Sequence, residues 1–218
     1  VKYKAVIFDI DGTITRHISS WRLIHERLGM WDKIAFRYQK QFLAGKISYR
    51  KFCELDAAHW KGLPEAKIRN VFKSIQYTKN AVMCIRKLKK SGFKLIAVST
   101  GLQYVPEKIK KDLGFDHVLS NSLKSSGGKM TGRVRINIPH GGKGAAVKRI
   151  LKKFGIRRSH AISVGDTAGD IPMARATGYS IAFNSTDKKL LRTVNYRCRT
   201  RDFREIYNII NTISSKKV

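Results

Sequence analysis

The sequence predicts an α/β fold: a parallel sheet core, a small helical bundle inserted after the first strand, and a β-ribbon flap. Three observations predict it. The apolar run at residues 5–8 and the mainly apolar stretches 94–98, 161–164 and 180–183 have the length of strands in a buried sheet. Helical stretches separate them, which implies a parallel sheet joined by right-handed crossovers. Residues 19–75 carry helical periodicity and no strand pattern, so they interrupt the alternation.

In chain order, the opening strand 5–8 ends at Asp9-Ile-Asp11-Gly-Thr13, and residues 14–17 read as a linker. Ser19 or Ser20 caps a helix to Leu28 that stops at Gly29. Trp31, Ile34, Ala35, Tyr38, Phe42 and Leu43 predict a second helix; Ser48 caps a third, and Pro64 starts a fourth. These helices make a bundle, residues 16–76, that packs over the site; residues 1–15 and 77–218 form the core. A helix follows from Asn80 to Lys90, then the strand 94–98 ending at Ser99-Thr-Gly101. A helix 106–113 and a short strand 117–121 come next. Residues 123–138 alternate around Gly127-Gly128, a hairpin signal that predicts the ribbon. Helix 144–154, strand 161–164 ending at Gly165-Asp166, helix 171–176, strand 180–183, a short strand at 195–198 and a helix 203–213 complete the pattern, with fraying expected from Ser214.

Composition bounds the function. The chain has 218 residues, and its 42% hydrophobic content suffices for a core. No apolar run approaches membrane-spanning length, so no membrane partner is expected. Cys53, Cys84 and Cys198 form no CxxC pair and read as free thiols of a reducing cytoplasm. Lys and Arg number 45 against 15 Asp and Glu, a formal net charge of +30. A polyanion partner such as nucleic acid is one reading of that charge. The basic residues are spread rather than gathered in one stripe, and aromatics are not interleaved with them. A solvated basic surface that steers small phosphorylated substrates is favoured.

Strands ending at Asp9/Asp11, Ser99/Thr100 and Asp166 bring those residues to one edge of a parallel sheet. Lys143 opens a helix after His140-Gly-Gly142, and Asp170 lies one helical turn beyond Asp166. These residue types suit phosphoryl transfer. Asp9 and Asp166 offer hard oxygens to Mg²⁺. Lys143, the Ser99 hydroxyl and the amides around Thr100 and Gly101 can bind phosphate oxygens. One carboxylate can attack phosphorus while a second moves the proton, and Asp9 and Asp11 provide both. His140 is a further contact near the site.

The set Asp9-Ile-Asp11-Gly-Thr13, Val98-Ser99-Thr-Gly101, Lys143 and Gly165-Asp166-Thr-Ala-Gly-Asp170 resembles the four motifs of the haloacid dehalogenase-like phosphatases. The helical insert and the ribbon resemble the phosphoserine phosphatase branch. The resemblance implies a Rossmann-like core and a Mg²⁺-dependent phosphomonoesterase. It makes Asp9 the nucleophile and Asp11 the acid/base. Mg²⁺ would lie on Asp9, the main-chain carbonyl of Asp11 and Asp166; Ser99 and Lys143 would hold the phosphoryl group, with Asp170 in support. In that branch a cap glutamate and an arginine read the amino acid, and here their positions fall at Ile18 and Asp56, while the fourth motif's Asn is Gly169. The expected substrate is therefore a small phosphorylated metabolite other than phosphoserine, read by Asp56 with Trp21 and Trp60. Terminal phosphates of nucleic acid, or nucleic-acid binding on the same scaffold, are the alternatives.

Overall fold

Strand β1, Ala5–Phe8, has no exposed residue on either face, because helices cover both sides of the sheet it sits in. The computed structural model describes residues 3–17 and 19–215. Among these, β1 is joined by β2 (Lys94–Leu102), β3 (His117–Ser126), β4 (Lys129–Arg135), β5 (Ala161–Gly165), β6 (Tyr179–Ala182) and β7 (Tyr196–Arg197). The order across the sheet is β4-β3-β2-β1-β5-β6-β7. All neighbours are parallel except β3 and β4, which form the expected antiparallel ribbon.

Side chains alternate along β1. Val6 and Phe8 pack on one face with Leu95, Ala97, Phe115 and Phe203, while Ala5 and Ile7 pack on the other with Ile96, Val98, Val147 and Ile150. The first face is covered by α5 (Ala81–Lys90), α6 (Tyr104–Leu113) and, at the chain's end, α10 (Arg204–Ser215); the second by α7 (Lys143–Lys153) and α8 (Ile171–Ala174). Full burial of a side chain such as Phe8 contributes about 1.5–3 kcal/mol.

Between β1 and β2 lie α1 (Ser20–Arg27), a π-turn over Trp31–Ala35 running into α2 (Phe36–Leu43), α3 (Tyr49–Ala58) and α4 (Glu65–Val71). Ser19 and Ser48 cap α1 and α3, their hydroxyls accepting from the Arg22 and Lys51 amides. Trp21, Ile24, Cys53, Ala57, Trp60 and Ile68 fill the centre of this bundle. The ribbon grips it through backbone bonds: Gly62 N–H to Met130 O, Met130 N–H to Leu63 O and Glu65 N–H to Gly128 O, each 2.8 Å.

Several elements differ from expectation. β2 does not stop at Val98 but continues to Leu102, with its pairing to β3 interrupted between Val98 and Leu102. That bulge lets polar residues occupy a strand and still face the site. β3 runs unbroken from His117 to Ser126, so the ribbon grows out of a core strand. A short helix, α9 (Lys188–Thr193), was not expected; Asp187 caps it, accepting from the amides of Lys189 and Leu190. Ser214 and Ser215 belong to α10 rather than to a frayed tail. Among the described residues no helix is long and apolar enough to cross a membrane.

Candidate active site

Register builds the site. Phe8 is level with Ala97 on one side and Val164 on the other, so Asp9, Ser99 and Asp166 emerge at nearly the same height on one sheet edge. Beyond Asp9 the chain winds once: the amides of Thr13, Ile14 and Thr15 all point at the Ile10 carbonyl. Gly12 permits this with φ +83°, a conformation that other side chains rarely adopt. A Cβ there would also lie 2.3 Å from Asp166 Oδ2. Glycine is thus required twice, by the backbone and by the approach of a neighbouring carboxylate.

Lys143, the first residue of α7, is buried and points its ammonium between two acids. Nζ lies 2.5 Å from Asp9 Oδ1 and 2.6 Å from Asp170 Oδ1. The other Asp170 oxygen accepts from the amides of Asp166 and Thr167, at 3.0 and 3.1 Å. Asp170 therefore fixes both the lysine and the loop that carries Asp166. Thr13 Oγ1 donates to Asp166 Oδ1 at 3.2 Å. Across the site Ser99 is buried, and its hydroxyl accepts the Gly101 amide at 2.9 Å. Of the two amides expected to face phosphate, that of Gly101 is thus directed at Ser99. Gly101 itself cannot carry a side chain: a Cβ would meet Ser20 Oγ at 2.4 Å and Asp11 Oδ2 at 2.7 Å.

Three carboxylates face one ammonium. One oxygen each from Asp9, Asp166 and Asp170 lie within 4.8 Å of one another. Burial pushes the Asp9 carboxyl up, Lys143 pulls it down and Asp170 pushes it up again, leaving it at about 7. Burial, with Asp9 and Asp170 nearby, raises Asp166 to about 9. Burial also works against the Lys143 charge, yet Asp170 and Asp9 hold its pKa above the ordinary lysine value. The two partners' shifts pull opposite ways on the Lys143–Asp9 bond; the charged lysine is the firmer, because acids on two sides demand it. Crowded hard oxygens with too little positive charge between them are what a divalent cation takes, so the donor set fits one. Asp9 and Asp166 each present one oxygen outside these bonds, whereas both Asp170 oxygens are engaged. Asp11 differs: burial raises it, but His17 and the Ser20 amide outweigh burial and hold its carboxyl below the usual value.

A cavity of about 130 Å³ lies over these groups, lined by Asp9, Asp11, Ser99, Thr100, Gly101 and Lys143 together with Ser19, Trp21, His140, Gly141, Thr167 and Gly169. Trp21 Nε1 donates to the Thr100 carbonyl at 3.1 Å and its ring stacks on the fully buried Trp60, with centroids 5.9 Å apart. Tyr49 OH and Asn121 Nδ2 donate to the same carbonyl. His140 is flanked by the rings of Phe42 and Tyr49, at 5.2 and 5.9 Å. Asp56 is not among the lining residues. It is buried beside His25, with Oδ1 3.2 Å from Nε2, and burial raises its carboxyl against the pull of that histidine. Ile18 lies outside the described residues. His17, Ser20, Tyr49, Asn121 and Thr167 are site neighbours that sequence reasoning missed. The Thr167–Asp170 spacing, a capping box, is the one signal among them visible in the chain.

The family model described as haloacid dehalogenase-like hydrolase matches residues 6–175. A phosphoserine phosphatase of Methanocaldococcus jannaschii is 31% identical over 96% of this chain and 98% of its own length. One of Archaeoglobus fulgidus is 30% identical over 88% of this chain, which spans only 55% of that longer protein. Among solved structures, a phospho-aspartyl intermediate analogue of phosphoserine phosphatase superposes with a TM-score of 0.83 at 30% identity, covering 96% of this chain and 99% of the other.

Proposed function

The chain belongs to the phosphoserine phosphatase-like branch of the haloacid dehalogenase-like hydrolases and is a phosphatase; from that membership we propose that it hydrolyses a small phosphomonoester through an aspartyl phosphate, with phosphoserine as the substrate to test first. The observation that carries this reading is the buried Lys143 ammonium bridging Asp9 and Asp170 beside Asp166. A carboxylate so placed can attack a phosphate whose oxygens the same lysine neutralises.

In the first half-reaction an Asp9 oxygen bonds to phosphorus as the bond to the ester oxygen breaks, and Asp11, which has to take up a proton as the ester binds because His17 and the Ser20 amide favour its ionised form in the free site, gives that oxygen its proton. In the second, Asp11 takes a proton from water, which attacks the aspartyl phosphate and releases inorganic phosphate and Asp9. Ser99 Oγ and Lys143 Nζ hold the phosphoryl oxygens, and Asp170 keeps Lys143 in place. Asp9, Asp166 and the main-chain carbonyl of Asp11 would hold Mg²⁺, which when bound supplies positive charge to the phosphoryl oxygens. Residues 16–76 act as the cap, with Trp21 and Gly169 beside the leaving group. The free thiols, two of them buried, suit a reducing cytoplasm.

The expectation that phosphoserine is excluded is corrected: the relatives that match nearly end to end are phosphoserine phosphatases. The physical reason is the placement of Asp56. Its charge is turned to His25 and lies off the cavity wall, so the loss of an arginine at that position says little about what the cavity accepts. The nucleic-acid alternatives raised by the net charge have no support in these relatives. With Mg²⁺ present, phosphoserine is expected to be turned over with kcat/KM of at least about 10⁴ M⁻¹s⁻¹. It should lead a panel of sugar phosphates, nucleoside monophosphates and p-nitrophenyl phosphate. Phosphoserine trailing the panel would sink the substrate assignment and leave the reaction class standing.

Metal dependence has a pH signature. The raised carboxyls of Asp9, about 7, and Asp166, about 9, bind protons in the folded chain that the unfolded chain has released. Their contribution to stability is full below the unfolded value near 4 and is lost as pH rises through 7 and 9. The metal-free protein should therefore lose thermal stability between pH 5 and 9. Mg²⁺ competes with those protons, so its stabilising effect should grow from almost nothing at pH 5 to about 5–10 °C at pH 8.5. Thermal melts in Mg²⁺ and in chelator check this; a gap independent of pH would count against Asp9 and Asp166 as ligands.

A further inference from the structure

The loop after Asp9 does more than turn the chain. Gly12 N–H donates to the His17 carbonyl at 2.7 Å, closing residues 12–17 into a small ring. The Arg16 amide bonds to the Gln76 carbonyl and ties that ring to the returning chain. His17 is thereby carried back over the start of its own loop. Its Nε2 lies 2.8 Å from Asp11 Oδ1, so the tautomer with a proton on Nε2 donates to an ionised Asp11, and the two side chains are only 13% and 12% exposed. The other Asp11 oxygen, Oδ2, accepts the Ser20 amide at 2.8 Å, on the side that faces Gly101 and the cavity. Both oxygens are thus held by donors from the segment that enters α1. His17 also borders a second hollow of about 230 Å³, with Leu23, Arg27, Val71 and Gln76. It reaches Asp11 from that hollow and is not among the residues lining the cavity over the acids.

We propose that His17 is a positioning residue for Asp11: it fixes the rotation of the carboxyl group so that the oxygen on the cavity side is aimed at the leaving oxygen. A carboxyl group turns easily about its last bond. With the Ser20 amide alone, Oδ2 would be held and Oδ1 left to swing; the second donor makes the plane unique. The role is orientation, so it needs a donor of the right reach rather than a charge. It rests on Asp11 being the group that protonates the leaving oxygen.

Leaving-group dependence tests it. A nitrophenolate departs with little help, whereas the serine alkoxide needs its proton. In His17→Ala, kcat for phosphoserine should fall roughly 10–100-fold with little change in KM, the usual cost of losing a partner that orients a reacting group. For p-nitrophenyl phosphate the loss should stay under about 3-fold. His17→Gln places an amide N–H at a similar reach and should recover most of the loss. Should the alanine variant not fold, His17→Phe keeps the ring volume without the donor. Equal losses on both substrates, or no recovery by glutamine, would overturn the proposal. Asp11→Asn is the control: it should show the same selectivity with a larger loss. If Asp11→Asn falls equally on both substrates, the assignment of Asp11 as the acid fails and the role of His17 with it. If Asp11→Asn is selective and His17→Ala is not, the positioning role alone fails.

Discussion

Asp9→Asn is expected to abolish turnover while leaving the fold intact. Asparagine has the same shape and can still accept from the Lys143 ammonium, which lies 2.5 Å from Asp9 Oδ1. It is not a nucleophile toward phosphorus at neutral pH, so both half-reactions stop. A loss of about 10⁴-fold or more in kcat follows, as for other residues on which a covalent step depends. The substitution also takes one carboxylate from a crowded set whose members are raised to about 7 and about 9. In chelator at pH 8 the variant should therefore melt no lower than the parent. Rapid quenching with mass spectrometry should find one phosphoryl group on the parent and none on the variant. Retention of more than about 1% of kcat would remove Asp9 as nucleophile.

The second large effect concerns the lysine. Lys143→Met keeps the length of the side chain and removes its charge, leaving Asp9, Asp166 and Asp170 facing one another in a buried site. Breaking a buried ion pair from one side costs about 3–5 kcal/mol. For a chain of this size that is a fall in thermal midpoint on the order of 10 °C. The fall should be deepest at high pH and shrink toward pH 5, where protons take over the neutralising role; melts across that range check it. Activity should drop as well, because the ammonium that would meet the phosphoryl oxygens is gone. A variant that melts with the parent at every pH would mean the three acids do not share that charge.

Much of this was legible in the chain because buried parallel strands and their polar ends are local patterns. The run from Ala5 to Phe8, the polar residues after Val98 and Val164, and Lys143 at a helix start all declare themselves within a few residues. Register then does the rest, and register follows from burial on both faces. What was not legible depends on long closure or on irregular backbone. No spacing rule brings His17 back to Asp11; the winding about the Ile10 carbonyl does. Ser99 to Leu102 reads by composition as the end of a strand and is instead its bulged continuation, with the Leu102 amide bonded to Ser20 Oγ from the helical insert. Asp56 aligns with a ligand-reading position and turns out to lie buried against His25, an approach between two helices rather than toward the cavity. The substrate inference drawn from Asp56 failed for that reason: alignment fixes where a residue stands along the chain, while its neighbours fix where its charge points.

The backbone bonds between the ribbon and the helical insert bear on how such proteins can be re-engineered. Gly62, Leu63 and Glu65 are stitched to Gly128 and Met130, although more than sixty residues of chain separate them. The part of the molecule beside the sheet is thus assembled from two tracts, one on either side of β2. Exchanging residues 16–76 alone for those of a relative would sever this seam and leave backbone groups without partners. A working chimaera has to graft the ribbon together with the helices, as a single discontinuous cassette.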